Sequence, residues 1–230
     1  MPEPRDHMVL VLDVDSIDDA LAIARPLEPW FATVKVGYQL YAAEGPKALE
    51  ALRENGFFVF ADLKLYDIPN TVEHGARNLA RHGVSFVNFH AAGGVDMLRA
   101  AIAGLHDGAI DAGVEVPISL AVTVVTSDPD TSALEQRMQI AREAQCDGVV
   151  CAGTDVPLAR KHGLRTMVPG IRLAGGDVHD QARVDTPGDA IARGADWLVI
   201  GRTVTEADEP EFAAIEVTRA VADALASAPG

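Results

Sequence analysis

The chain has 230 residues, of which 48% are hydrophobic and 23% charged, and its formal net charge is −15. A chain of this length buries enough surface to fold without disulfides or a structural metal, and its two cysteines exclude a disulfide framework. The acidic charge argues against binding to nucleic acid or anionic membranes, which rests on basic patches.

The longest apolar runs are far shorter than the roughly 20 residues of a membrane span. The N-terminal residues lack a basic segment followed by an apolar one, so they do not resemble a signal peptide. We therefore expect a protein of the cytoplasm that neither spans nor binds a membrane.

Short apolar runs alternate with amphipathic segments along the whole chain. The runs predict eight strands, seven of them over residues 8–14, 33–37, 57–63, 85–90, 148–152, 166–169 and 197–201, and one contained within residues 116–125. The amphipathic segments predict eight helices, over residues 17–25, 46–54, 71–82, 95–107, 131–145, 155–162, 187–193 and 211–227. Because the runs are continuously apolar, both faces of each strand should be buried, which is typical of parallel sheets.

Eight strand–helix units predict an α/β fold of the (β/α)8 barrel type, with residues 1–230 as one domain. An open, doubly wound sheet is the alternative. It would more often have a glycine-rich phosphate turn after the first strand, and residues 13–16 of this chain contain no glycine.

Polar residues collect where the predicted strands end, which is where barrel enzymes carry their chemistry. Asp62 and Lys64 are two residues apart on one strand, so their side chains should lie on the same side. Lys35 on the neighbouring strand reaches the same space, and Asp67 follows in the loop. A buried ion-pair network that only closes the barrel is the alternative. Two of only four lysines at adjacent strand ends favour a functional site.

The loops after the seventh and eighth strands are the usual phosphate site of such barrels. Here they contain Arg172 and Arg202, and guanidinium groups bind phosphate bidentately. Asn88 and His90 end the fourth strand. His90 could suggest a metal site, but no second strand-end histidine is apparent, so a core or supporting position is the preferred interpretation.

Residues 62–72, DLKLYDIPNTV, resemble the DxKxxDIPNTV signature of the orotidine 5′-phosphate decarboxylase family. Other segments resemble that family in the same order, so the resemblance covers nearly the whole chain. These segments are residues 12–13 (LD), 34–37 (VKVG), 90–94 (HAAGG), 121–127 (AVTVVTS), 169–172 (PGIR), 180–181 (DQ) and 199–202 (VIGR).

The resemblance implies decarboxylation of orotidine 5′-phosphate to UMP and CO2 without a cofactor or a metal. It implies that Lys64 protonates C6 as CO2 leaves, that Asp62 faces the substrate carboxylate, and that Lys35 and Asp67 complete the charged array. The remaining implied substrate-binding residues are Asp13, together with Lys35, for the ribose, Thr126 or Ser127 for the pyrimidine, and Arg172, Gln181, Gly201 and Arg202 for the phosphate. The resemblance also implies a homodimer with shared active sites, in which Asp67 and Thr71 contact the substrate of the neighbouring subunit.

Three alternatives remain open on the sequence. A metal-dependent decarboxylase of 3-keto-L-gulonate 6-phosphate shares DxKxxD, but its family resemblance implies a glutamate ligand at the position of Lys35. A phosphosugar epimerase or isomerase would share only the phosphate loops. A barrel that binds nucleotides without catalysis would keep the phosphate site and need no charged array.

Overall fold

The fold is a closed barrel of eight parallel strands that pair in chain order, with β8 completing the circle against β1. The computed structural model describes residues 3–173 and 185–227. The strands are β1 (Met8–Val11), β2 (Thr33–Val36), β3 (Phe58–Leu65), β4 (Phe86–His90), β5 (Ile118–Val122), β6 (Gly148–Val150), β7 (Arg165–Val168) and β8 (Trp197–Ile200). The predicted (β/α)8 barrel is confirmed.

Helices connect the strands on the outside of the barrel. They are α1 (Ile17–Leu27), α2 (Tyr38–Glu44), α3 (Pro46–Glu54), α4 (Pro69–Arg81), α5 (Gly94–Ala112), α6 (Leu134–Glu143), α7 (Val156–Lys161), α8 (Pro187–Ala192), α9 (Arg202–Thr205) and α10 (Pro210–Ser227). All eight predicted helices are present, whereas the short helices α2 and α9 were not predicted. Among the described helices, none has the length and apolarity that crossing a membrane requires.

The predicted bounds of several strands were wrong. The first strand ends at Val11 rather than at residue 14, because apolar residues continue past the point where the chain leaves the ladder. The strand expected within residues 116–125 spans Ile118–Val122. β3 differs in the opposite direction, because it continues to Leu65, two residues beyond the predicted end. Its extension brings Lys64 of the signature segment into the strand.

The middle of the barrel interior is apolar, and the interior becomes polar toward the carboxyl ends of the strands. The buried interior cluster consists of Val9, Phe60, Phe86, Leu120, Met167 and Val199. The rings of Phe60 and Phe86 meet edge to face, with their centroids 6.1 Å apart. Two residues further along the same strands come Asp62 and Asn88, which therefore face the same interior. The inward alternation thus places a polar layer directly on an apolar floor.

The helix that follows β3 is held firmly against its neighbour. At Gly104 of α5, an added Cβ would lie only 2.1 Å from the backbone oxygen of Glu73 in α4, and at Gly108 it would lie 2.1 Å from that of Arg77. The two backbones approach so closely that only glycine fits at these positions. This packing fixes the start of α4 and the loop that precedes it at the mouth of the barrel.

Candidate active site

A cavity of about 820 Å3 opens at the carboxyl ends of the strands. Its apolar walls include Val11, Phe60, Val122 and Val199. Charged side chains from five parts of the chain line the same cavity, namely Asp13, Lys35, Asp62, Lys64, Arg172, Arg202 and Glu206. An apolar cavity with a few convergent polar groups is the usual form of a small-molecule site.

Four of these side chains form a continuous array of alternating charge. The Lys35 ammonium lies between two carboxylates, 3.2 Å from Asp13 Oδ1 and 3.3 Å from Asp62 Oδ2. Lys64 Nζ donates to the other oxygen of Asp62, with 2.6 Å between the two atoms. The predicted proximity of Lys35, Asp62 and Lys64 is therefore present. Asp13, which lies just beyond β1, extends the array.

The Asp62 carboxylate is stabilised in its ionised form. Burial alone would raise its pKa, but the charges of Lys35 and Lys64 and hydrogen bonds from Lys64 and Asn88 outweigh burial and lower the pKa below its ordinary value. Since only 13% of the Asp62 side chain is exposed, solvent screens these contacts weakly. The site therefore presents a fixed negative charge beside two ammonium groups.

We expect Asp62→Asn to lower the free energy of unfolding at neutral pH by about 1–3 kcal/mol, because two partly buried ammonium groups lose their shared carboxylate. The pKa of Asp62 is lower in the folded state than its ordinary value of 3.8. Its contribution is therefore complete above that ordinary pKa and disappears as the pH falls through the folded-state pKa. Urea unfolding of both proteins across this range measures the difference. If wild type and Asp62→Asn still differed by the same free energy of unfolding below the folded-state pKa, the stabilising role of the ionised Asp62 carboxylate would be contradicted. Asp13→Asn, at a more exposed carboxylate, is the control and should cost less than about 1 kcal/mol.

The backbone of β3 is irregular where the array is built. Ala61 pairs with Val87 and Leu65 pairs with Phe89, so four steps along β3 oppose two steps along β4. Within this bulge, Lys64 has a φ of 45°, in the left-handed region. A non-glycine residue there costs on the order of 1–3 kcal/mol and persists only where its surroundings hold it.

Side chains from both neighbouring strands or their extensions contact this bulge. Asn88 on β4 accepts a hydrogen bond from the Lys64 backbone N–H at 2.7 Å and donates to Asp62 Oδ1 at 2.6 Å. The Tyr38 hydroxyl, at the start of α2, donates to the carbonyl of Leu63 at 2.7 Å. Lys64 Nζ lies 5.9 Å from the centre of the Tyr38 ring, within cation–π range.

The absence of a side chain at Gly37 leaves room for the charged array. A Cβ added at Gly37 would lie 2.8 Å from Lys35 Nζ and 3.1 Å from Asp13 Oδ1. Any larger residue at this position would therefore displace the ion pair between Lys35 and Asp13. The segment that follows β2 needs glycine for this close approach, rather than for an unusual φ.

The residues expected to contact the pyrimidine and the phosphate fall into three groups. Thr126 lines the cavity, whereas Ser127 is exposed and is not among the lining residues. Arg172, Gly201 and Arg202 all line it as well. Arg172 is 8% exposed, and its Nη1 donates to the carbonyl of Ile171 at 2.8 Å. Gln181 lies outside the described residues.

Asp67 and Thr71 are exposed and belong neither to the array nor to the lining of the cavity. Both belong to a run of six consecutive exposed residues, 66–71, between β3 and the first turn of α4. The Asp67 carboxylate accepts a hydrogen bond from the backbone N–H of Ile68 at 2.7 Å. In the described part of this single chain, no ion pair connects Asp67 to the lysines. The same run exposes Tyr66 and Ile68, at 61% and 66% of their surfaces.

His90 lies beside the array at the end of β4. Its ring packs against that of Tyr66, with 5.8 Å between centroids. Burial, followed by the charges of Lys64 and Arg137, lowers its pKa, so the neutral imidazole is favoured. Within residues 3–173 and 185–227, no group of three or more histidine, cysteine, aspartate or glutamate side chains is arranged to hold a metal ion.

A closed barrel with a charged cavity at the carboxyl ends of its strands defines a (β/α)8-barrel enzyme. The model of the orotidine 5′-phosphate decarboxylase / HUMPS family matches residues 6–217. The chain belongs to this family, and the resemblance drawn from its sequence is confirmed.

Individual relatives agree with the family match. An orotidine 5′-phosphate decarboxylase of Bacillus cereus (strain Q1) is 40% identical over 219 residues, which cover 88% of this chain and 92% of the relative. One from Geobacillus sp. (strain WCH70) is 39% identical over 221 residues, covering 89% and 92%. The crystal structure of the Lactobacillus acidophilus orotidine 5′-phosphate decarboxylase superposes with a TM-score of 0.81 at 31% identity, covering 93% of this chain and 98% of that one.

Sequence reasoning gave no role to two residues that contact the array or its backbone. Asn88 was recognised as a polar residue at a strand end, and its position inside an apolar strand was the available signal. Tyr38 gave no signal, because an aromatic residue at the start of an amphipathic segment is normally a packing residue. Its contact with Leu63 depends on how α2 follows β2, which the sequence pattern does not specify.

Proposed function

We propose that this protein decarboxylates orotidine 5′-phosphate to UMP and CO2, using its own side chains and no metal. The observation that carries the proposal is the array itself, in which Lys64 and Lys35 flank the buried Asp62 carboxylate inside the cavity. Membership of the decarboxylase family and the similarity to relatives of that name support the substrate.

The chemistry requires a group that stabilises negative charge on carbon. As the bond between C6 and the carboxylate breaks, CO2 leaves and the electron pair remains at C6, with no conjugated acceptor. An ammonium fixed at that carbon stabilises the charge as it develops and then transfers a proton to it. Lys64 is the proposed donor, because Asp62 holds its Nζ at 2.6 Å from a carboxylate oxygen. Asp62 would face the substrate carboxylate, and the proximity of the two like charges would favour loss of CO2.

The other cavity residues suit the rest of the nucleotide. We assign Asp13 and Lys35 to the ribose hydroxyls and Thr126 to the pyrimidine, and all three residues line the cavity. Arg172, Gly201 and Arg202 would bind the phosphate together with Gln181. Because the chain carries a net charge of −15, an anionic substrate depends on these local cations. Binding energy from the phosphate is then available to organise the reacting groups.

Lys35 argues for chemistry without a divalent metal. Its ammonium lies between Asp13 and Asp62, within 3.3 Å of an oxygen of each. A magnesium-dependent sugar-phosphate decarboxylase would need an anionic ligand where this cation lies. The same feature makes the sugar phosphate the less favoured substrate.

We also propose a homodimer with shared sites. The exposed run 66–71 combines two large apolar side chains, Tyr66 and Ile68, with Asp67 and Thr71. Exposed apolar side chains grouped on a surface are typical of an interface. In a twofold dimer this run would approach the partner's cavity, where Asp67 would add a third carboxylate to Asp13 and Asp62 of the array.

The test is the ultraviolet absorbance of orotidine 5′-phosphate with the purified protein in EDTA, at low and high salt. We expect the substrate absorbance to decay with EDTA present. Salt dependence would reveal whether the acidic, lysine-poor surface needs screening. No decay at either salt while UMP still binds would overturn the proposed activity. The next assay would then be 3-keto-L-gulonate 6-phosphate with magnesium, to separate a different decarboxylase from a binding protein without activity.

A further inference from the structure

The peptide bond between Leu63 and Lys64 is held from two directions, and both contacts come from residues outside the charged array. We infer that Asn88, assisted by Tyr38, is a positioning residue that sets where the Lys64 ammonium lies. The inference rests on the proposed role of Lys64 in decarboxylation. It assigns a functional reason to a buried amide and an exposed tyrosine.

The first step is the irregular backbone. Because β3 has two more residues than β4 between their flanking pairs, the regular ladder is interrupted at Lys64. The φ of 45° at Lys64 is one that a lysine adopts only under constraint. The Lys64 N–H donates to the Asn88 side chain at 2.7 Å instead of to a β4 carbonyl. The Asn88 side chain therefore takes the place of a β4 carbonyl as hydrogen-bond acceptor for Lys64, the residue whose side-chain direction determines where the ammonium lies.

The second step is the other half of the same amide. Asn88 Nδ2 donates to Asp62 Oδ1 at 2.6 Å, and this is the oxygen that also accepts from Lys64 Nζ at 2.6 Å. One side chain thus fixes both the backbone of Lys64 and the carboxylate that its ammonium contacts. An amide suits this task because it combines an acceptor and a donor without charge. A carboxylate would repel Asp62, and an apolar side chain would serve neither contact.

The burial of Asn88 adds weight to these hydrogen bonds. Its side chain is fully buried, with 0% of the residue exposed, so neither partner can be replaced by bulk water. The orientation of the amide is also fixed by chemistry. Reversing its oxygen and nitrogen would set the NH2 against a backbone N–H and the oxygen against a carboxylate.

The third step is the opposite end of the peptide unit. The Tyr38 hydroxyl donates to the Leu63 carbonyl, which belongs to the same peptide plane as the Lys64 N–H. With its carbonyl and its N–H both bonded to side chains, that plane cannot rotate without losing two hydrogen bonds. The centre of the Tyr38 ring also lies 5.9 Å from Lys64 Nζ.

The experiment compares Asn88→Leu, which keeps the number and branching of the side-chain heavy atoms and removes both hydrogen bonds, with a matched control. Thr166→Val on β7 also changes a fully buried strand residue with two hydrogen bonds, here to Asp196, outside the cavity. Tyr38→Phe removes only the hydroxyl from an exposed residue and keeps the ring. For each protein we would measure kcat, the affinity for UMP and the thermal midpoint. Crystal structures of wild type and Asn88→Leu would give the φ of Lys64.

We expect Asn88→Leu to lower kcat by about 10²-fold, the effect of a misplaced reacting group, with UMP affinity changed only a few-fold. Tyr38→Phe should lower kcat several-fold in the same direction, and it keeps the inference testable if Asn88→Leu does not fold. Thr166→Val should lose thermal stability but keep its kcat. The crystal structure of Asn88→Leu should show Lys64 outside the left-handed region and its ammonium away from Asp62.

Two results would overturn the inference. One is unchanged kcat in both Asn88→Leu and Tyr38→Phe. The other is a Lys64 that keeps its φ and its contact with Asp62 in the Asn88→Leu crystal structure. The structural measurement needs no substrate, so it decides the positioning role even if wild type does not decarboxylate orotidine 5′-phosphate. Failure of the wild type to decarboxylate orotidine 5′-phosphate would reject the proposed function and leave the positioning role to the crystal structures.

Discussion

Lys64→Ala will lower kcat for orotidine 5′-phosphate by at least about 10³-fold, because it removes the ammonium proposed to donate the proton and to stabilise the developing charge. Binding of UMP should stay within a few-fold of wild type, since the groups proposed for the ribose and the phosphate remain. The decay of substrate absorbance gives kcat, and calorimetry gives the affinity for UMP.

The matched control is Lys47→Ala, which removes one of the four lysines from an exposed position on α3. It should leave both quantities unchanged and so separate the loss of a specific ammonium from a change in net charge. Turnover near the wild-type rate in Lys64→Ala would remove Lys64 from the mechanism. The observation that Asp62 holds this ammonium at 2.6 Å would then describe a structural ion pair only.

Mixing two inactive variants, Lys64→Ala and Asp67→Ala, will restore activity if the sites are shared between subunits. In a hybrid dimer one site carries both substitutions and the other carries neither. Random exchange of subunits at equal concentrations should therefore give about a quarter of the wild-type activity. The absorbance assay follows the recovery with time after mixing.

Subunit exchange must be verified independently, for example by mass spectrometry of one isotopically labelled variant. The double variant Lys64→Ala/Asp67→Ala mixed with itself is the control and should stay inactive. Verified exchange without recovery would show that each site draws Asp67 from its own chain. Activity of Asp67→Ala alone near the wild-type level would exclude this carboxylate from the reaction altogether.

The two-residue period of a strand predicted the contact between Asp62 and Lys64, but it did not predict the irregular backbone of β3 at that point. Two residues on one strand point to the same side, so Asp62 and Lys64 were expected together, and they are. The bulge and the left-handed φ of Lys64 were not expected. They depend on how β3 pairs with β4, a relation between segments distant in the chain that local pattern does not contain.

Several site residues could be named from the sequence only because their motif has a known pattern. Asp67 and Thr71 belong to the signature segment, yet in this chain alone they are exposed and do not line the cavity. The resemblance favoured Thr126 over Ser127 for the pyrimidine without excluding Ser127. The structure separates them, because the chain that follows β5 turns so that only Thr126 lines the cavity.

The sequence by itself determined the order of elements, the closed barrel and the cluster of charge at its mouth. Hydrophobic period and strand-end polarity are local properties that the sequence contains. Because parallel strands bring their carboxyl ends together, these properties also predict that the polar strand ends meet at the mouth of the barrel. Tertiary structure alone decided that Lys35 lies between two carboxylates and that Asn88 and Tyr38 hold one peptide of β3. Those contacts arise from strand register and helix placement, because the distance between donor and acceptor in a hydrogen bond varies by only a few tenths of an ångström.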